Sequence, residues 1–121
     1  MSLTISIIGG TGKMGQMFAK AFKKAGCKII IGGRSTKVSN KEAAEKGDIV
    51  IVSVPISATK KVIKKIGQYV RKNSLLTDFT SVKILPAEWM RKYSKSEVIA
   101  GHPVFGPLKN IRGQNFVICP V

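Results

Sequence analysis

Residues Ile5 to Gly15 read Ile-Ser-Ile-Ile-Gly-Gly-Thr-Gly-Lys-Met-Gly. An apolar run breaks into glycines at Gly9, Gly10, Gly12 and Gly15, and a helical pattern follows at once. Gly10, Gly12 and Gly15 fall on the spacing G-x-G-x-x-G. In that spacing one glycine makes a tight turn and one lets the backbone approach a pyrophosphate. The third lets the helix pack close on the strand, while the N–H groups of the first helical turn face the phosphates. The strand before it and the helix after it are the context that gives the spacing meaning. The expected ligand is a dinucleotide, held by Gly10, Thr11, Gly12, Lys13, Met14 and Gly15.

The rest of the chain alternates strand and helix patterns. Leu3 to Ile8 reads as a first, buried strand. Met14, Met17, Phe18, Ala21, Phe22 and Ala25 then recur at helical spacing, with Gly26 as the stop. Lys28 to Ile31 gives a second strand. Ser39 to Lys46 leaves room for a short helix but not for a full crossover and an additional strand, so the first mononucleotide half is expected to be abbreviated. Asp48 to Val54 is an uninterrupted apolar strand of the kind buried on both faces of a parallel sheet. It stops at Pro55, which puts Ser53, Val54 and Pro55 at a carboxyl end of the sheet, where open α/β folds bind ligands. A helix from about Ser57 to Lys72 turns Val62, Ile63, Ile66 and Val70 inward; Lys60, Lys61, Lys64, Lys65, Arg71 and Lys72 face out. Ser74 to Phe79 is a further strand. Pro86 sits in the first turn of a helix through Tyr93, with Leu85, Trp89 and Met90 inward. Glu97 to Gly101 and Asn115 to Val121 complete the strands. The pattern predicts one α/β domain over residues 1–121, a Rossmann-like three-layer domain that binds NAD(P), with a mostly parallel sheet.

Cofactor choice is read from the end of the second strand, Gly32-Gly33-Arg34-Ser35-Thr36. NAD sites usually carry a carboxylate there for the ribose 2′-hydroxyl. Here an arginine and two hydroxyls stand instead, and Arg34 can form paired charge-assisted bonds to a 2′-phosphate. Arg34, Ser35 and Thr36 therefore favour NADP, with NAD as second choice. Arginine position matters more than charge in this chain, because 21 Lys and Arg against 6 Asp and Glu give a formal +15. Such a surface attracts anionic small molecules and polyanions without naming one. The lysine face of the long helix has no interleaved aromatics for stacking on single strands, so a solvated face is preferred and nucleic acid is not an expected partner. Cys27 and Cys119 are too few and too far apart for a disulfide framework or a metal site. No apolar run is long enough to span a membrane, and the N-terminus reads as a strand rather than a signal peptide, so a cytoplasmic protein is expected.

Three segments carry a resemblance. Asp78-Phe79-Thr80-Ser81-Val82-Lys83 resembles the D-x-x-S-V-K segment of prephenate dehydrogenases. Gly101-His102-Pro103-Val104-Phe105-Gly106-Pro107 resembles their G-x-H-P-M-F-G-P segment, with one residue fewer before the histidine and Val104 for Met. Val52-Ser53-Val54-Pro55-Ile56 matches the V-S-V-P-I that ends the family's central strand. The resemblance implies oxidative decarboxylation of prephenate to 4-hydroxyphenylpyruvate in tyrosine synthesis, with arogenate as the alternative substrate. It implies that His102 accepts the ring-hydroxyl proton as hydride leaves, and that Ser81 orients the histidine and that hydroxyl. An imidazole titrating near neutral pH suits that role.

The resemblance covers the family's nucleotide-binding half. The family's helical domain, which dimerises and supplies cations for the substrate carboxylates, is absent from these 121 residues, and poor turnover by this domain alone is the expectation. Two other readings compete: a domain like the deazaflavin-dependent NADP reductases, which share the Gly-Gly-Thr-Gly turn, and a non-catalytic NADP-binding module. The His102 segment favours the first reading.

Overall fold

The computed structural model describes residues 3–9, 12–33, 36–79, 84–103 and 116–120. In chain order these form β1 (Thr4–Ile8), α1 (Lys13–Lys24), β2 (Lys28–Gly32), α2 (Asn40–Lys46), β3 (Ile49–Val52) and α3 (Ile56–Ile66). A 3₁₀ turn at Gly67–Tyr69 leads to β4 (Leu75–Asp78), α4 (Ile84–Tyr93), β5 (Glu97–Pro103) and β6 (Phe116–Pro120). The sheet has the order β2-β1-β3-β4-β5-β6. Its first five strands are parallel, and β6 returns antiparallel to β5.

The alternation of side chains assigns the two faces. Ile5 and Ile7 of β1 and Ile51 of β3 pack with Met17 and Phe18 of α1. Ile8, Val50, Val52 and Leu76 point the other way, into a core completed by Ala43 and Ala44 of α2, Ile63 and Ile66 of α3, and Met90 of α4. Each such Val, Leu, Ile, Phe or Met side chain, fully buried, contributes roughly 1.5–3 kcal/mol. Right-handed crossovers explain why α1 stands alone against α2, α3 and α4. The chain steps from β1 outward to β2 with α1 on one face. It then reverses past β1 to β3, so α2 and the later helices lie on the opposite face. The three-layer arrangement and the shortened first half, two strands rather than three, are both as the sequence predicts.

Local chemistry sets the ends of these elements. Gly26 (φ +97°) ends α1 in the left-handed region, where its N–H donates to Lys23 O at 3.0 Å. Ser39 Oγ accepts from Glu42 N–H at 3.1 Å and caps α2. At the amino edge of the sheet, Thr4 N–H donates to Asp48 Oδ2 at 2.9 Å. Arg71 Nη2 bonds Gly47 O at 2.9 Å and Asp48 Oδ1 at 3.0 Å, and Ser74 Oγ donates to Gly47 O at 2.7 Å. This cluster ties the start of β3 to β1 and to the segment before β4.

Several readings need correction. Arg71 does not belong to a solvated helical face: α3 stops at Ile66, and Arg71 folds back onto the loop before β3. Val70 is buried as expected, but beyond the helix. β3 ends at Val52 rather than Val54, because its ladder stops where Ser53 N–H donates to Ile8 O at 2.8 Å. β5 continues through Pro103, since pairing with β6 extends it, so His102 lies within the strand and not after it. Ala25, placed on the inner stripe of α1, is exposed. Cys27 is a half-buried free thiol beside the α1 core, and Cys119 lies in β6.

Candidate cofactor-binding site

The reversal of chain direction between β1 and β3 creates a switch point, where the loops leaving the two strands separate to opposite faces and open a crevice. The crevice here is a cleft of about 270 Å³ lined by Gly12, Lys13, Met14, Ser53, Val54, Pro55 and Phe79. Six of these seven were singled out in the sequence, three from the glycine spacing and three from the end of β3. Parallel pairing brings them to one end of the sheet. Ile8 is level with Val52, Val52 with Asp78, and Asp78 with Ala100.

Gly9 holds the two halves together. It has φ +79°, and its N–H donates to Gly32 O at 2.9 Å, closing the turn against the end of β2. A Cβ at this position would overlap the Ser53 carbonyl oxygen and stand 2.6 Å from Val54 Cγ1. Glycine is therefore required twice, by backbone angle and by the approach of β3. Gly12 caps α1, donating its N–H to Gly9 O at 3.2 Å and accepting from Gln16 N–H at 2.9 Å. That bond to Gln16 is the first of the helix, so the amides of Lys13, Met14 and Gly15 precede it and make up the dipole's positive end. Among the described residues no side-chain cap bond closes this end, and no acidic residue stands in its first turn. Lys13 is exposed at the cleft, Met14 half-buried in it, and Gly15 buried under the helix. This donor set fits a pyrophosphate.

Phe79 is the lining residue that sequence reasoning missed. It follows β4, half-buried, with its ring centroid 4.4 Å from that of Phe18, and Phe18 in turn lies 5.7 Å from Phe22. In sequence it reads as the last apolar residue of a strand. Only the position of β4 next to β3 turns it toward the cleft.

The remaining candidates divide. At the end of β2, Thr36 Oγ1 lies 2.6 Å from Val38 O and 3.1 Å from Gly33 O. Its single proton serves the main chain, so this hydroxyl shapes the loop. Gly10, Thr11, Arg34, Ser35 and Ser81 lie outside the described residues. The backbone of His102 lies in β5 opposite Val117, two residues beyond the last pair of β5 with β4, at the same carboxyl end as the cleft.

A cleft at a switch point, floored by a glycine turn and the free end of a helix, defines a dinucleotide-binding Rossmann domain. Comparison with known proteins narrows this. The family model for the prephenate dehydrogenase nucleotide-binding domain matches residues 18–116, and the chain belongs to that family. The match opens inside α1, downstream of the glycine turn. A probable arogenate/prephenate dehydrogenase of Methanocaldococcus jannaschii is 43% identical over 88% of this chain, and the T-protein of Haemophilus influenzae is 38% identical over 84%. The chain spans 27% of the length of each of these relatives. Among solved structures, Aquifex aeolicus prephenate dehydrogenase in complex with hydroxyphenyl propionate and NAD⁺ superposes with a TM-score of 0.81. It is 22% identical, and the overlap covers 100% of this chain and 51% of that one. Synechocystis arogenate dehydrogenase gives 0.78 at 21% identity, covering 98% and 50%. At those identities the structures establish the shared fold.

Proposed function

We propose that this chain is the cofactor-binding half of a prephenate or arogenate dehydrogenase, taking NADP in preference to NAD. The observation that carries the proposal is the cleft at the switch point. There the open end of α1 and the Ser53-Val54-Pro55 segment meet, with His102 at the same end of the sheet. Bound nicotinamide supplies the hydride acceptor for oxidative decarboxylation of prephenate to 4-hydroxyphenylpyruvate.

The chain's own residues supply position and one proton acceptor. The amides of Lys13, Met14 and Gly15 hold the pyrophosphate, and the Lys13 ammonium adds positive charge at the cleft mouth. Gly10 and Thr11, on the same glycine spacing, are assigned to the pyrophosphate as well. Arg34 and Ser35 take a 2′-phosphate, with Thr36 fixing the loop that carries them. Ser53, Val54 and Pro55 form the wall beside the reacting end. His102 accepts the proton of the substrate hydroxyl, and Ser81 orients it. Loss of carbon dioxide leaves an aromatic ring, so the protein's main task is to hold the reacting groups in place.

A cytoplasmic location fits this biosynthetic role, and among the described residues no helix is long and apolar enough to cross a membrane. The homologues' greater length leaves the substrate carboxylates to be held by a further domain, through which the family resemblance implies dimerisation.

The test is turnover. The chain, joined to the C-terminal portion of the Methanocaldococcus jannaschii relative, should reduce NADP⁺ in the presence of prephenate or arogenate. If a folded fusion that binds NADP⁺ reduces none with either substrate, the dehydrogenase assignment fails.

A further inference from the structure

We propose that Phe79 is the positioning contact for the nicotinamide ring, fixing where the reactive carbon sits relative to His102. This rests on the dinucleotide reading of the cleft and goes beyond it, since neither the glycine motif nor the family's segments give Phe79 a role.

The sheet order divides the ligand. The pyrophosphate belongs over β1, at the open end of α1, and the loop after β2 lies to one side, where an adenosine ribose would be read. The cleft runs to the other side, over β3 and β4. A dinucleotide that crosses the switch point therefore places its nicotinamide half in this cleft. Its lining changes character along the way. Gly12 and Lys13 are polar and close to the helix end; Met14, Val54, Pro55 and Phe79 are apolar.

A flat heteroaromatic ring needs a rigid, polarisable partner surface, and among the described residues Phe79 is the aromatic side chain in that lining. Its ring is backed by Phe18, which is 4% exposed and held by Phe22 and the sheet. The ring is thus fixed from behind before any ligand arrives. A pre-formed wall of this kind avoids the entropy of ordering a free side chain on binding. β5 lies one strand beyond β4, roughly 5 Å away. A ring resting on Phe79 therefore lies between β3 and the strand that carries His102.

The test separates the nicotinamide end from the rest of the cofactor. Phe79→Ala, Phe79→Leu and Phe79→Tyr are titrated calorimetrically with NADP⁺ and with 2′-phospho-ADP-ribose, which lacks the nicotinamide; NAD⁺ and ADP-ribose form a second pair. Truncation to Ala should weaken the intact dinucleotide about tenfold and leave the truncated ligand within about twofold. Leu, which keeps apolar volume and folding, should lose most of the same affinity, and Tyr should restore it. Equal losses for both ligands would mean that Phe79 merely supports the fold, and would overturn the proposal. So would unchanged dinucleotide binding in the Ala and Leu variants. A folded wild-type chain that binds neither ligand would instead overturn the dinucleotide reading, and this proposal with it.

Discussion

Replacing Gly9 with alanine tests whether the approach of β1 to β3 is a real constraint. Two penalties combine at this position. Its φ of +79° is a region that costs a residue with a Cβ roughly 1–2 kcal/mol. The added methyl would also overlap Ser53 O and crowd Val54 Cγ1, and the first of these is backbone that cannot rotate away. Relief requires moving the end of β3, a rearrangement of the overpacking kind worth about 1–3 kcal/mol. The expected destabilisation is about 2–5 kcal/mol, a large part of a small domain's total of roughly 5–15 kcal/mol. Gly26→Ala is the matched control. Gly26 also has positive φ (+97°), but among the described residues no heavy atom beyond its chain neighbours lies within 4 Å of a Cβ built there, so only the backbone penalty applies. Urea denaturation followed by circular dichroism gives both values. Gly9→Ala should cost at least about 1 kcal/mol more than Gly26→Ala, and its folded fraction should bind NADP⁺ more weakly. Equal losses in the two variants would refute the close approach and the cleft geometry built on it.

Other consequences follow from named residues. The Thr4 N–H and the Arg71 guanidinium hold the Asp48 carboxyl below the usual carboxylate range, against an opposing cost of burial. A depressed carboxylate stabilises the fold at pH values above its unfolded pKa of about 3.9, and that contribution is lost as pH falls through the lower folded value. Urea midpoints measured from neutral pH into acid should therefore fall less steeply for Asp48→Asn than for the wild type. The difference should be within about 1 kcal/mol because the pair is half-exposed; identical acid profiles would remove Asp48 from the account. Arg34→Asp should weaken NADP⁺ by roughly tenfold or more and improve NAD⁺ relative to it, as competitive titration would show. His102→Asn, in an active two-domain chain, should lower kcat by about 100-fold or more with little change in cofactor affinity. Wild-type turnover in that variant would end the proton-acceptor role.

Most of the architecture was legible because it depends on local pattern. Apolar alternation broken by glycines gives β1 and its turn, and the inward stripe of α1 appears directly in Met17 and Phe18. The short Ser39–Lys46 segment even indicates the missing strand of the first half. What could not be read depends on which strand lies next to which. Phe79 becomes part of the cleft only because β4 pairs with β3. Arg71 looks like one more cation on a lysine-rich helix until the helix stops at Ile66 and the side chain reaches back 23 residues to Asp48. The sequence places His102 after β5, because nothing in the chain announces that β6 pairs with β5 as far as Pro103. The Thr36 hydroxyl reads as a phosphate contact in the sequence, and the main-chain acceptors within its reach, Val38 O and Gly33 O, are visible only in the folded loop.

The most direct measurement is calorimetric titration of the folded 121-residue chain with NADP⁺ and with NAD⁺ at moderate salt. A cleft built as described should bind one NADP⁺ per chain, more tightly than NAD⁺, with an affinity that falls far less with ionic strength than polyanion binding to a +15 surface would. Binding of neither nucleotide by a folded sample would contradict it.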